Sequence, residues 1–259
     1  MGMTTAKVGW WLGPVLVVLA GGVSAAQAAE VKVFCAGAVR GIVTDLAEAF
    51  RRETGHTVTL TFGTVGVVRQ KLTAGEPADV VIMTDAAIDE MAQKGAVTPG
   101  TRADLARTGI GVDVKDGAPR PDIATPEALK QTLLAANSLV YVDPAQGGTS
   151  GIHFASVLQR LGIAEAVKGK TLLVPGGYAA EKVAKGEAEL VVHQISEILP
   201  VKGVTLVGPL PRDLQKITTY SAGLTTRATA PEAARTFIAF VARPAFKAKF
   251  AAAGLDYRE

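Results

Sequence analysis

Strands that run straight into small-residue helix starts are the feature that most constrains this 259-residue chain. In VKVFCAGAVRG (31–41), TLTFGTVGVVRQKLTAGEPADVVIMTD (59–85) and VYVDPAQGGTSGIHFA (140–155), an apolar, β-prone run ends in small residues. The first and third blocks then open directly into an amphipathic helical pattern. Strand, tight loop and helix start, repeated in alternation, define an α/β chain with mostly parallel sheets covered by helices on both faces. Helix starts also present unpaired N–H groups and the positive end of the helix dipole. Several of them converging on one cleft make a site for a small anion.

Along the chain, the first strand is expected at 31–35 and a helix at 42–54, with Ile42, Leu46, Ala47 and Phe50 on one face and Gly55 as its stop. Strands follow at 57–62, 80–83, 110–114, 139–142, 171–174 and 190–194, and helices at 65–74, 86–94, 125–135, 151–161 and 179–185. Residues 204–210 and 217–224 read as extended, and two helices, 231–242 and 244–253, close the chain. Extended stretches near 109–112 and 219–224 separate otherwise self-contained runs. The expected organisation is therefore two lobes joined by two crossing strands, with 29–108 and 222–259 in lobe I and 109–221 in lobe II.

Residues 1–28 read as a cleaved secretory signal: Lys7, an apolar run at 8–20, then Ala26-Gln27-Ala28. Gly13 and Pro14 interrupt the run, which is too short to span a bilayer, so a periplasmic product that is not membrane-embedded is expected. The 27 basic and 24 acidic residues are scattered and aromatic residues are few, which argues against a nucleic-acid groove. With Cys35 as the one cysteine, no intramolecular disulfide forms. No metal spacing is present and no cofactor is expected, since the glycine clusters match neither the dinucleotide fingerprint nor the phosphate loop. GGTSG at 147–151 is not a nucleophile elbow.

The blocks VKVFCAGAV, FRRETGHTVTLTFGT, LTAGEPADVVIMTD, VYVDPAQGGTSGIHFA, GEAELVVHQISEI and ARPAFKAKFAAAGLD resemble the molybdate-binding branch of the type II periplasmic solute-binding proteins. The resemblance runs in order through the chain beyond residue 28. It implies two hinged α/β lobes with a small anion between them, service to an ABC permease, and a monomer. The chain departs from the branch where that branch holds its oxyanion. The first ligand serine aligns with Ala38, followed by Arg40; the second aligns with Val65, with Thr64 beside it; and the pocket tyrosine aligns with Gln194, preceded by His193. Guanidinium groups suit planar carboxylates, so an organic di- or tricarboxylate is expected in place of molybdate.

The expected cleft takes Gly37, Ala38 and Arg40 from the first loop, Thr64, Val65 and Gly66 from the second, and Arg69 one helical turn on. Thr149, Ser150, Gly151, Gly176, Gly177, Tyr178 and Gln194 complete it. Each has a plainer alternative: Arg40 and Arg69 as solvated charges, Thr149–Gly151 as a helix cap, Cys35 as a small hydrophobe. Strand alternation points His193 and Gln194 to opposite faces, and His153 aligns with an aromatic packing position of the branch. The first expectation is a transport receptor with no chemistry. The alternative rests on the branch's similarity to a periplasmic aconitate isomerase, which moves a proton along an allylic carboxylate. In that case His193, ahead of His153, is the expected base, and Arg40 and Arg69 the clamps.

Overall fold

The computed structural model describes residues 1–4 and 28–257, so the apolar run expected to lead export lies outside the described residues. In chain order the strands are β1 (Glu30–Ala36), β2 (Thr57–Gly63), β3 (Val80–Thr84), β4 (Ala103–Thr108), β5 (Ile110–Lys115), β6 (Leu139–Val142), β7 (Thr171–Val174), β8 (Leu190–Gln194), β9 (Val204–Pro209), β10 (Thr218–Leu224) and β11 (Asp256–Tyr257). They form a six-stranded sheet, ordered β11-β4-β10-β3-β1-β2, and a five-stranded sheet, ordered β7-β6-β8-β5-β9. One side of each sheet, out to its edge strand, is parallel: β2, β1 and β3 in the first, β7, β6 and β8 in the second. The strands next to the crossings, β4 with β10 and β5 with β9, pair antiparallel.

Alternation explains why both faces are covered. Val31, Val33 and Cys35 of β1 enter one core with Val80 and Ile82, while Phe34, Val81 and Met83 enter a second core on the opposite face. The helices Arg40–Thr54 and Pro231–Val241 close the first face, where Phe50 meets Phe237 and Phe240 edge-on with ring centres 5.2 and 5.3 Å apart. The second sheet repeats the scheme. Leu139, Tyr141, Leu190 and Val192 pack beneath Phe154 and Val157, and Val140, Val142 and Val191 beneath Ala180 and Val183.

The chain crosses between the sheets at Gly109, between β4 and β5, and returns between β9 and β10. Residues Thr218 to Ser221 already pair in the first sheet, so the return crossing falls before the expected boundary at 222. The Gln215 side chain ties the two crossings together: its Oε1 accepts from the Ile110 N–H at 2.9 Å and its Nε2 donates to the Ile110 carbonyl at 2.8 Å. Two strands escaped the sequence reading, β4 and the terminal pair of residues in β11. Both run along the outer side of the first sheet.

Candidate functional site

The carboxyl ends of β1 and β2 face those of β6, β7 and β8 across a cavity of about 300 Å³, the position ligands take in open α/β sheets. From the first lobe, Gly37, Ala38, Arg40, Thr64 and Val65 line it; from the second, Thr149, Ser150, Gly176, Gly177, His193 and Gln194. His193 and Gln194 both reach the cavity, against the expected alternation. Gln194 is the last residue of β8, and the chain turns there into the short helix Ile195–Ile198.

Four expected residues lie elsewhere. The Gly66 N–H donates to the Gly147 carbonyl at 3.1 Å, and a Cβ on Gly66 would lie 2.7 Å from the Gly147 Cα, so this glycine closes the lobes on one another and does not line the cavity. Arg69 pairs with Glu90 at 2.5 Å on a separate depression. Gly151 lets its helix press against the end of β6, where a Cβ would meet the Val142 carbonyl oxygen at 1.9 Å. His153 donates from Nε2 to the Leu214 carbonyl at 2.7 Å, away from the cavity. Tyr178 stands at the rim, its ring centre 5.9 Å from the Arg40 guanidinium.

Arg40 lies half-buried at the start of its helix, its guanidinium 4.1 Å from the centre of the Phe62 ring. Among the described residues it has no carboxylate within ion-pair distance. Thr64 is already committed: its hydroxyl accepts from the Val67 N–H at 3.1 Å, capping the helix Val65–Thr73, and donates across the cleft to the Gln146 carbonyl. It joins the lobes and has one lone pair left for anything else.

Three groups here were not singled out in the sequence. Glu197, on the short helix after β8, brings a buried carboxyl to the cavity wall. A Cβ on Gly37 would lie 2.7 Å from its Oε1, so the first-lobe loop must be glycine to admit it. Burial pushes this carboxyl above the usual range, with His193 and Arg40 pulling in the opposite sense. Tyr220, buried on a strand beside the crossing, receives a hydrogen bond from the Gln194 Nε2 at 3.3 Å, and burial raises its phenol. Phe62 is the ring beneath Arg40.

His193 is held at every polar atom. The Gly177 carbonyl can only accept, so the 3.0 Å contact with Nε2 places the ring hydrogen there. Nδ1 accepts the Gln194 N–H at 2.9 Å, lies 3.1 Å from the Ser150 hydroxyl, and is 3.6 Å from Glu197 Oε2. The Gln194 Oε1 is buried without a partner, so one end of the amide is left for a ligand. Among the described residues no group of His, Cys, Asp and Glu could hold a metal, and no helix is long and apolar enough to cross a membrane.

The cleft is thus lined by loops of two α/β lobes and holds the Arg40 guanidinium with no carboxylate in ion-pair distance among the described residues. The sequence model of the bacterial extracellular solute-binding proteins matches residues 31–256. The chain belongs to this family. An aconitate isomerase from a Pseudomonas species is 33% identical over 216 residues, 81% of each chain. The molybdate-binding protein ModA of Escherichia coli K12 is 26% identical over 199 residues, 75% of this chain and 77% of its own. In structure, the periplasmic molybdate-binding protein of Azotobacter vinelandii superposes with a TM-score of 0.72 at 20% identity, over 88% of this chain and all of that one, the same two-lobed fold.

Proposed function

We propose that this solute-binding protein captures a small organic polycarboxylate between its lobes, and Arg40 carries that reading. A guanidinium held over an aromatic face inside a cleft, without a counter-ion, offers paired N–H groups to a planar carboxylate. A tetrahedral oxyanion needs a compact ring of neutral donors. Ala38 and Val65 contribute no hydroxyl, and that of Thr64 is spent on the cap and the opposite lobe. On this reading the chain works as a periplasmic monomer that delivers its ligand to an ABC importer.

Calorimetry tests it. Saturable one-to-one binding of di- or tricarboxylates is expected, with Arg40→Ala weakening it by roughly 2–5 kcal/mol and Arg40→Lys restoring only part. Tight molybdate binding that ignores both substitutions overturns the reading.

Glu197 favours a second reading of the same cleft. A wall that only captures anions gains nothing from a buried carboxyl, whereas a proton shift on a bound carboxylate needs an acid–base group close by. The similarity to an aconitate isomerase points the same way. On this reading the chain interconverts trans- and cis-aconitate by an allylic proton shift. Incubating a catalytic amount of the protein with trans-aconitate and following the isomers by NMR decides: multiple turnovers support the isomerase, and binding without conversion supports the receptor.

A further inference from the structure

Resting on the isomerase reading, we infer that Glu197 is the group that takes and returns the substrate proton, with His193 as its positioning residue. The inference begins with elimination among the titratable groups that face the cavity. His193 has Nε2 committed to the Gly177 carbonyl and Nδ1 to the Gln194 N–H, so it has no free lone pair to aim at a substrate carbon. His153 bonds to Leu214 outside the cavity. The Tyr178 and Tyr220 phenols and the Cys35 thiol are all raised by burial, which leaves them protonated and poor bases. Arg40 is a cation. Glu197 alone among the described cavity groups combines a basic oxygen with freedom to use it: its side chain is 9% exposed, and its carboxyl accepts no hydrogen bond from the described residues.

Geometry gives the carboxyl a defined post. Gly37 admits Oε1 to the cavity wall, and Oε2 lies 3.6 Å from His193 Nδ1. His193, fixed by its own bonds to Gly177 and Gln194 and 3.1 Å from the Ser150 hydroxyl, thus stands as a rigid wall behind Oε2. The step is balanced within the substrate and one residue. Glu197 removes a proton from the methylene carbon, the C–H electrons move into a new C=C bond, and the old double bond delocalises onto its carboxylate as an enolate. The Glu197 carboxyl then returns the proton to the former alkene carbon. No oxidant or second reactant enters, and Arg40, on the opposite lobe, is placed to hold the carboxylate on which charge develops. Burial lifts the carboxyl above its ordinary range, which makes its anion a stronger base, and the His193 and Arg40 side chains limit that rise.

Four proteins separate the inference from the reading beneath it. In deuterated buffer, wild type is expected to place solvent deuterium in trans-aconitate and to form the cis isomer. Glu197→Gln, with its melting temperature and aconitate affinity first checked against wild type, is expected to lose exchange and turnover by about 10²–10⁴-fold while binding within a few-fold. Glu197→Asp, which keeps the acid and shortens its reach, is expected to retain measurable turnover. His193→Gln is expected to displace the pH profile of kcat, a change that loss of packing alone does not produce. An active wild type whose Glu197→Gln variant exchanges within tenfold of it overturns the role given to Glu197. A wild type that binds aconitate without exchange overturns the isomerase reading itself.

Discussion

Asp79 in the first lobe and Asp113 in the second are both buried acids of a sheet, and their surroundings are opposite. Asp79, just before β3, is wrapped in donors. Its Oδ2 accepts the Lys32 N–H at 2.8 Å, and its Oδ1 accepts the Thr229 N–H at 2.6 Å, the Ala230 N–H at 3.0 Å and the Thr229 hydroxyl at 3.0 Å. These bonds overcome the cost of burial and hold the carboxyl below its ordinary range. Asp113 lies between Val112 and Val114, whose side chains enter the core on one face of the second sheet, so it turns toward the other face. Both its oxygens are without partners, and burial pushes it up to about 8. Asp79 is a charge used as a structural knot between β1 and the last long helix. Asp113 is an acid kept neutral below about pH 8 by the absence of company.

Cutting the knot is expected to have the largest effect. Asp79→Ala takes the acceptor from three backbone N–H groups and a hydroxyl, all partly buried, and should cost about 1–3 kcal/mol in urea unfolding. The pH dependence has a definite sign. The folded Asp79 is more acidic than the unfolded one, so its contribution is whole above about pH 4 and is lost as pH falls through the folded value. An Asp79→Ala variant within about 1 kcal/mol of wild type would show that the donor shell contributes nothing net.

Asp113 runs the other way. Its folded value of about 8 exceeds the unfolded 3.8, so the folded state holds the extra proton between those values. Stability should therefore fall as pH rises from 3.8 toward 8 and level off beyond. Asp113→Asn cannot ionise and should flatten that slope, leaving the variant roughly 1–3 kcal/mol more stable than wild type at pH 8. Parallel unfolding curves for the two proteins across this range would break the contrast between the lobes.

The residues that were legible in the sequence share one property: their role is local. Apolar runs ending in small residues placed β1, β2, β6 and β7, and with them the loops at Gly37–Arg40, Thr64–Val65, Thr149–Ser150 and Gly176–Gly177 that meet at the cavity. What failed was decided by the opposite lobe or a neighbouring helix. Glu197 sits in HQISEI, where a carboxyl reads as a solvated helix charge; in the fold it is buried, with Gly37 of the other lobe against its Oε1. Arg69 reads in the sequence as either a cleft residue or a solvated charge, and in the fold Glu90 of the following helix takes it. Tyr220 reads as one residue in a crossing strand until Gln194 arrives from β8 to bond its phenol. Gly66 and Gly147 carry no mark of their mutual contact, because close approach across a cleft leaves no period in the chain.

The smallest effect sharpens the comparison most. Burial raises the Glu197 carboxyl as it raises that of Asp113, and no shell of donors surrounds it as one surrounds Asp79, so an amide of the same shape should replace it at little cost. Its carboxyl accepts no hydrogen bond from the described residues, so Glu197→Gln orphans no donor, in contrast to Asp79→Ala. Its nearest polar neighbour, His193 Nδ1 at 3.6 Å, already accepts from Gln194. A change within about 1 kcal/mol at pH 6 is expected, turning toward stabilisation as pH rises and the wild-type carboxyl is forced to ionise inside the cleft. The check is a pair of urea curves at pH 6 and pH 8.5. A loss of several kcal/mol at pH 6 would mean that the buried charge is paired with Arg40 or with a protonated His193, making Glu197 a knot across the lobes of the kind Asp79 ties within one.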